Sequence, residues 1–241
     1  MKYSKSNLFK GVFELMLKAL IFDFDGVIAD AEPVHMRAFQ EVLSEEGLSV
    51  SKDEYYDRYL ALDDKTFFET LFQDKGKRFD KPFIKTLMDR KSRYYDRFIR
   101  KNIVIFPGVP DFVKNVSKSY ALAIGSGALR HEIEFILEYA GIREEFKVIT
   151  SAEDVTNCKP DPEVFIKALK RINASLMSDA KIHPQECLVV EDSIHGIKAA
   201  HSAGMRCLGV SNSYPTEKLS EADMVVNGLN EVKIEDLEKL F

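Results

Sequence analysis

The sequence has no C-x-x-C pair, no long run of like charge, no internal repeat and no low-complexity stretch. Its three cysteines, Cys158, Cys187 and Cys207, are an odd number without metal-finger spacing, so neither a zinc site nor a disulfide framework is indicated. A reducing, cytoplasmic setting is the expectation. Thirty-four basic residues stand against 39 acidic ones, a net charge of −5 scattered along the chain, which gives no electrostatic reason for a nucleic acid or an anionic membrane as partner. Long apolar runs are missing as well. The patch from Val12 to Leu17 is interrupted by Glu14, is followed by no small-residue cleavage site and is far too short to span a bilayer. Residues 1 to 15 read as an N-terminal extension. What remains is a balanced globular composition, 45% hydrophobic and 30% charged over 241 residues, enough for one large core or a core with an insertion.

Short apolar runs recur from Lys18 to Phe24, Tyr120 to Gly125, Phe146 to Ser151, Cys187 to Asp192, Arg206 to Val210 and Ala222 to Val226. Such runs suit strands buried on both faces of a parallel sheet. Amphipathic segments of helix length separate most of them: Arg130 to Ala140, Pro162 to Ile172 and Ile194 to Ala203. The alternation predicts an α/β fold, a doubly wound parallel sheet with helices on both faces. It breaks between about Glu32 and Phe106, where helical patterns at Val34 to Glu46, Asp63 to Phe72 and Lys81 to Arg100 occur without a convincing strand. A helical insertion after the first strand follows, with 16–31 and 107–241 as the α/β core and 32–106 as the insertion. Pro107-Gly108 reads as the re-entry.

The first strand ends in Asp23-Phe24-Asp25-Gly26, two carboxylates emerging at the strand end where open α/β sheets bind ligands. Alone, D-x-D-G serves a turn cap equally well, and a calcium loop is disfavoured because its later ligands are missing. Glu191-Asp192 ends another apolar strand. Two acidic groups there would repel each other and the first pair unless a cation lay between them, and oxygen donors with few histidines favour magnesium over zinc. Ser126 and Gly127 follow a strand and offer a hydroxyl and backbone amides to an anion; Lys159, between Cys158 and Pro160, offers an ammonium. Taken singly, a lysine is ordinarily a solvated charge and a serine after a strand a helix cap.

Together and in this order, DFDGV at 23 to 27, Ser126, the lysine of KPDP at 159 and VVEDSIHGIKAA from 189 to 200 resemble the haloacid dehalogenase superfamily of phosphohydrolases, in its β-phosphoglucomutase-like branch. The resemblance covers residues 16 to about 226. It implies a Rossmann-like core with the insertion as a cap, and a magnesium-dependent phosphatase for a small phosphorylated metabolite such as a sugar phosphate. It further implies that Asp23 attacks phosphorus and becomes an aspartyl phosphate while Asp25 serves as acid and then base. Asp23, the backbone carbonyl of Asp25 and Asp192 would hold magnesium with Glu191 in support, and Ser126, Gly127 and Lys159 would bind the phosphoryl group. Glu32, His35 and Lys65 are the insertion's candidates for substrate contact.

Three alternatives are weighed against this reading. A dehalogenase has no need of Asp25. A phosphomutase is disfavoured by Ala31, where the mutase has threonine, and by the segment from Tyr59 to Lys65, which lacks the mutase's glycine, serine and arginine pattern. A silent binding protein is disfavoured because every catalytic position holds a competent residue. Bland readings are expected for His195, as a packing or capping residue, and for Phe67, Phe68, Leu71 and Phe72, as helix core.

Overall fold

The apolar runs pair side by side into one parallel sheet in a computed structural model that describes residues 15–60, 62–176 and 180–241. The strands are β1 (Ala19–Phe22), β2 (Ala121–Gly125), β3 (Phe146–Thr150), β4 (Cys187–Glu191), β5 (Arg206–Val210) and β6 (Met224–Val226), in the order β3-β2-β1-β4-β5-β6. The chain first winds outward from β1 through β2 to β3, then returns to the other side of β1. The switch point therefore lies between β1 and β4, whose registers pair Phe22 with Val190.

Strand alternation sorts the apolar side chains into two cores. Leu20, Phe22, Ile124, Val190 and Leu208 face one side, with α5 (Val109–Val116) and α6 (Arg130–Tyr139) packed on them. Ala19, Ile21, Ala123, Val189 and Cys207 face the other, under α7 (Glu163–Ser175) and α8 (Ile194–Ser202). The short α9 (Ile234–Glu238) follows β6 and packs on the first core through Leu237.

Between β1 and β2 run α1 (Glu32–Glu45), α2 (Lys52–Arg58), α3 (Asp64–Asp74) and α4 (Lys81–Asn102). They share a third apolar cluster that includes Phe39, Leu43, Tyr55, Phe67, Phe68, Leu71 and Phe72, so the aromatic stripe is helix core. Removing one such buried phenylalanine would cost about 3–5 kcal/mol. Side-chain caps set the helix starts: Ser51 accepts from the Glu54 N–H, Asp63 from Thr66 and Asp80 from Phe83. The two crossings between these helices and the sheet are laced together. The Asp30 N–H donates to Val104 O (2.9 Å), the Phe106 N–H to Ile28 O (3.2 Å), and Ala29 bridges Ile105 antiparallel.

Several elements differ from the sequence expectation. The last predicted run starts at Met224 rather than Ala222, because the Ala222 N–H turns back to Leu219 O and the Asp223 carboxylate takes the Cys207 N–H (2.8 Å). The helices Lys52–Arg58, Val109–Val116 and Ile234–Glu238 were not foreseen; the second carries Pro110 in its first turn, a position proline suits. Residues 1–14 of the expected N-terminal extension lie outside the described residues. No helix among the described residues is long and apolar enough to cross a membrane.

Candidate active site

Asp23 follows β1 by one residue and is still held to the sheet, its N–H donating to Val190 O at 2.9 Å. The next strand over ends in Glu191 and Asp192, so adjacency of β1 and β4 alone brings three carboxyl groups together. Each offers one oxygen within 4.8 Å of the others, and all three residues are buried. Lys159 supplies the balancing ammonium. It stands 2.8 Å from Asp23 Oδ1 and donates to Glu191 Oε1 at 2.6 Å, with its Nζ 4.9 Å from the centre of the Phe165 ring.

The three carboxylates are not equivalent. Glu191 Oε2 accepts from the Asp192 N–H, the Ser193 N–H and the Ser193 hydroxyl, at 2.8, 2.8 and 2.9 Å. Burial works against its charge, but Lys159 and these donors outweigh burial and hold Glu191 below the usual carboxylate range. Asp192 accepts from the Ser213 hydroxyl, and burial with the nearby Glu191 and Asp23 pushes its pKa well above the ordinary value. Asp23 is raised too, by burial that Lys159 only partly offsets. Two glycines make room for this packing. A Cβ at Gly26, which has φ +79°, would lie 1.8 Å from Asp192 Oδ2, and one at Gly196 would lie 1.7 Å from Glu191 Oε1.

Asp25 points away from this group toward the helices. Its Oδ1 is buried without a hydrogen-bond partner, and its Oδ2 lies 3.9 Å from His35 Nε2 on α1. On the far side of the imidazole, Lys91 Nζ of α4 is 2.7 Å from His35 Nδ1 and donates to Asp64 Oδ1 of α3 at 2.8 Å. An ammonium only donates, so Nδ1 accepts and the ring proton sits on Nε2, facing Asp25. Burial and then the Lys91 charge lower the His35 pKa well below its ordinary value, so the ring is neutral. Glu32 accepts a hydrogen bond from Tyr55, and burial raises its pKa.

At the end of β2, the Ser126 N–H donates to Thr150 O (3.0 Å) and its Oγ accepts from the Ala128 N–H (3.0 Å), leaving the hydroxyl proton free for an anion. Gly127 is exposed, with no atom within 4 Å of where a Cβ would stand, so its amide is approachable.

A family model described as haloacid dehalogenase-like hydrolase matches residues 20–210, a span that includes Asp23, Asp25, His35, Lys159, Glu191 and Asp192. The chain belongs to the haloacid dehalogenase-like hydrolases. Its fold is that of the β-phosphoglucomutase-like branch: the β-phosphoglucomutase of Clostridium difficile superposes with a TM-score of 0.81 at 26% identity, covering 93% of this chain and 97% of that one. A haloacid dehalogenase-like hydrolase domain-containing protein of Arabidopsis thaliana is 32% identical over 99% of this chain and 84% of its own. A phosphorylated carbohydrates phosphatase of Thermotoga maritima is 29% identical over 82% of this chain and 87% of its own.

The hydrolase thus draws Asp23, Lys159, Glu191 and Asp192 into one cluster, and sets Asp25, His35 and Glu32 beside it. Lys65 is not drawn in: its side chain is more than half exposed and pairs with Glu69 at 3.6 Å. The neighbouring Asp64 reaches the site instead. His195 neither caps nor packs; it is exposed, and the Ser193 side chain caps α8 by accepting from the Gly196 N–H. Sequence reasoning missed Lys91, Asp64, Glu132 and Ser213. Two of these carried a signal. Lys91 lies on the apolar stripe Ile84, Leu87, Tyr95, Phe98, and Glu132 directly precedes the buried Ile133, so each puts a charge where a helix turns its core face.

Proposed function

We propose that this hydrolase is a magnesium-dependent phosphatase for small phosphorylated metabolites of the sugar phosphate kind, working through an aspartyl phosphate on Asp23. The observation that carries the reading is the charge balance at the tips of β1 and β4, where three buried carboxyl groups face a single ammonium. Nothing there but a divalent cation would let a phosphate dianion approach. Asp23, Asp192, Glu191 and the Asp25 carbonyl are the candidates to hold it, and an oxygen-only donor set suits magnesium. When bound, the ion would draw charge off the phosphoryl oxygens.

In the first step an Asp23 carboxylate oxygen attacks phosphorus, the bond from phosphorus to the ester oxygen breaks, and Asp25 passes its proton to the departing alkoxide. In the second step water attacks the same phosphorus, Asp25 takes the water's proton, and the Asp23 carboxylate departs. Lys159, the Ser126 hydroxyl and the Gly127 amide neutralise and orient the transferring group. Glu191, with both oxygens already engaged, positions Lys159 and supports the metal site. His35, held neutral by burial and then by Lys91, turns its Nε2–H toward Asp25 Oδ2, which leaves Oδ1 as the atom that carries and returns the proton.

Residues 32–106 are proposed as a cap that closes over the phosphate about the paired crossings 28–30 and 104–106, excluding bulk water. The likeness to a phosphorylated carbohydrates phosphatase and to a β-phosphoglucomutase supports the substrate class. The test is turnover of p-nitrophenyl phosphate and a sugar phosphate panel with magnesium and after exhaustive EDTA treatment. Metal-dependent phosphate release is the expected result. Full activity in EDTA would overturn the metal assignment, and isomerisation of glucose 1-phosphate to glucose 6-phosphate without phosphate release would mark a mutase instead.

A further inference from the structure

On the phosphatase reading above, the three carboxyl groups at the tips of β1 and β4 must keep fixed orientations toward a cation. Two of them are pinned by near neighbours. Lys159 stands 2.8 Å from Asp23 Oδ1 and donates to Glu191 Oε1 at 2.6 Å, and Glu191 Oε2 takes the donors of its own loop, the Asp192 N–H and the Ser193 N–H and hydroxyl. None of these donors hydrogen-bonds the Asp192 side chain. Among the described residues its one hydrogen bond comes from the Ser213 hydroxyl, which donates to Oδ2 and leaves Oδ1 without a partner.

Ser213 arrives from the next strand. β5 lies beside β4, pairing Leu208 with Val190 and Gly209 with Glu191, so the chain that leaves β5 at Val210 passes the tip of β4. Its course is fixed by the Ser211 N–H, which donates to Val226 O at the end of β6 (2.9 Å), and by the Asn212 N–H, which turns back to Val210 O (2.9 Å). The Asn212 side chain then reaches the loop after β1, where Nδ2 donates to Gly26 O at 2.7 Å, on the residue that follows Asp25. Gly26 makes the approach possible. A Cβ there would lie 2.9 Å from Ser213 Oγ as well as 1.8 Å from Asp192 Oδ2, so the three residues close on one another with no room for a side chain. Two consecutive side chains of one loop thus tie the end of β5 to both acidic strand tips.

We propose that Ser213 and Asn212 are positioning residues for the magnesium site. An ionised carboxylate only accepts, so the serine hydroxyl donates. That bond fixes the rotation of the Asp192 carboxylate and keeps Oδ1 as its free oxygen for the ion. Asn212 holds the turn at Gly26, and with it the neighbouring Asp25 carbonyl, in place. Outer partners of this kind orient the groups that bind a metal, and losing one weakens binding by about 10–100-fold. Ser213 itself is exposed, so it serves the site without carrying the core.

The test is magnesium binding itself, measured by calorimetry on the chelator-stripped full chain without substrate, with the urea midpoint in EDTA followed alongside. Ser213→Ala should raise the Kd for magnesium on the order of tenfold, the low end of that range because water reaches the exposed position, and should leave the urea midpoint at the parent's value. Ser213→Thr keeps the hydroxyl and should bind magnesium as the parent does. Asn212→Ala should weaken binding by roughly the same tenfold. A Kd unmoved by either alanine variant, a threonine variant as weak as Ser213→Ala, or weak binding that comes with a lowered urea midpoint in EDTA would overturn the inference while leaving the phosphatase reading intact. A parent chain that binds no magnesium and turns over p-nitrophenyl phosphate fully in EDTA would overturn the inference together with the metal dependence on which it rests.

Discussion

Two charged groups meet in this molecule, one at the ends of β1 and β4 and one carried by the helices between β1 and β2, and they are built by different means. The sheet group is fixed by backbone: Asp23 stays in the ladder, and Glu191 takes two consecutive backbone amides. The helical group is fixed by side chains from three helices, with Lys91 as its centre and His35 and Asp64 as its arms. A backbone-held group can stand ready without substrate. A group held by side chains on separate helices keeps its geometry only as long as those helices keep their packing.

The largest expected difference between the two groups comes from removing the central lysine of each. Lys159→Met leaves Asp23 and the fully buried Glu191 without their cation. It should cut turnover on the order of 10²–10³-fold and, in EDTA, lower stability by about 3–5 kcal/mol in urea unfolding. An unchanged urea midpoint would show that the sheet group is not held by that ion pair. Lys91→Met removes the donor that fixes the His35 tautomer. Hydrolysis of an alkyl phosphate should slow by about 10²-fold, within the range of general-acid effects, and p-nitrophenyl phosphate much less, since its leaving group needs no proton. Equal loss on both would mean that Lys91 serves folding rather than Asp25.

A smaller effect sharpens the comparison through pH. Burial, only partly offset by Lys91 and the Leu129 N–H, raises the Glu132 pKa from 4.5 to about 7. Folded protein therefore binds this proton more tightly than unfolded protein does. The contribution is fully present below about pH 4.5 and is lost as pH rises through 7. Glu132→Gln should then be more stable than the parent by roughly 1–2 kcal/mol at pH 8 and no more stable at pH 4. Urea midpoints at the two pH values check this; an advantage at pH 4 alone would reverse the sign.

The same contrast governs what the sequence discloses. Asp23, Asp25, Glu191 and Asp192 are legible because a charge that ends an apolar run marks a strand tip, and the parallel order of strands then brings such tips together. The doubly wound sheet was legible for the same reason, each run being apolar on both faces. Lys91 was missed because α4 also carries Lys85, Arg90, Arg93, Arg97 and Arg100, and its one signal, the helix phase it shares with Ile84, Leu87 and Tyr95, is what separates it from them. Lys65 was preferred to Asp64 for the opposite reason. A cation near a phosphate is the natural guess, yet Asp64 reaches the site because α3 presents it to Lys91.

The division of labour between Asp23 and Asp25 is the centre of the account, and one experiment addresses it directly. Asp25→Asn is mixed rapidly with p-nitrophenyl phosphate, and nitrophenol release is followed alongside phosphate bound to protein. The nitrophenolate leaves without a proton, so transfer to Asp23 should survive while hydrolysis of the aspartyl phosphate, which needs Asp25 to deprotonate water, should not. The predicted result is a burst of about one nitrophenol per active site, slow turnover afterwards and phosphate trapped on Asp23. A uniform loss of rate with no burst and no phosphoenzyme would contradict the account.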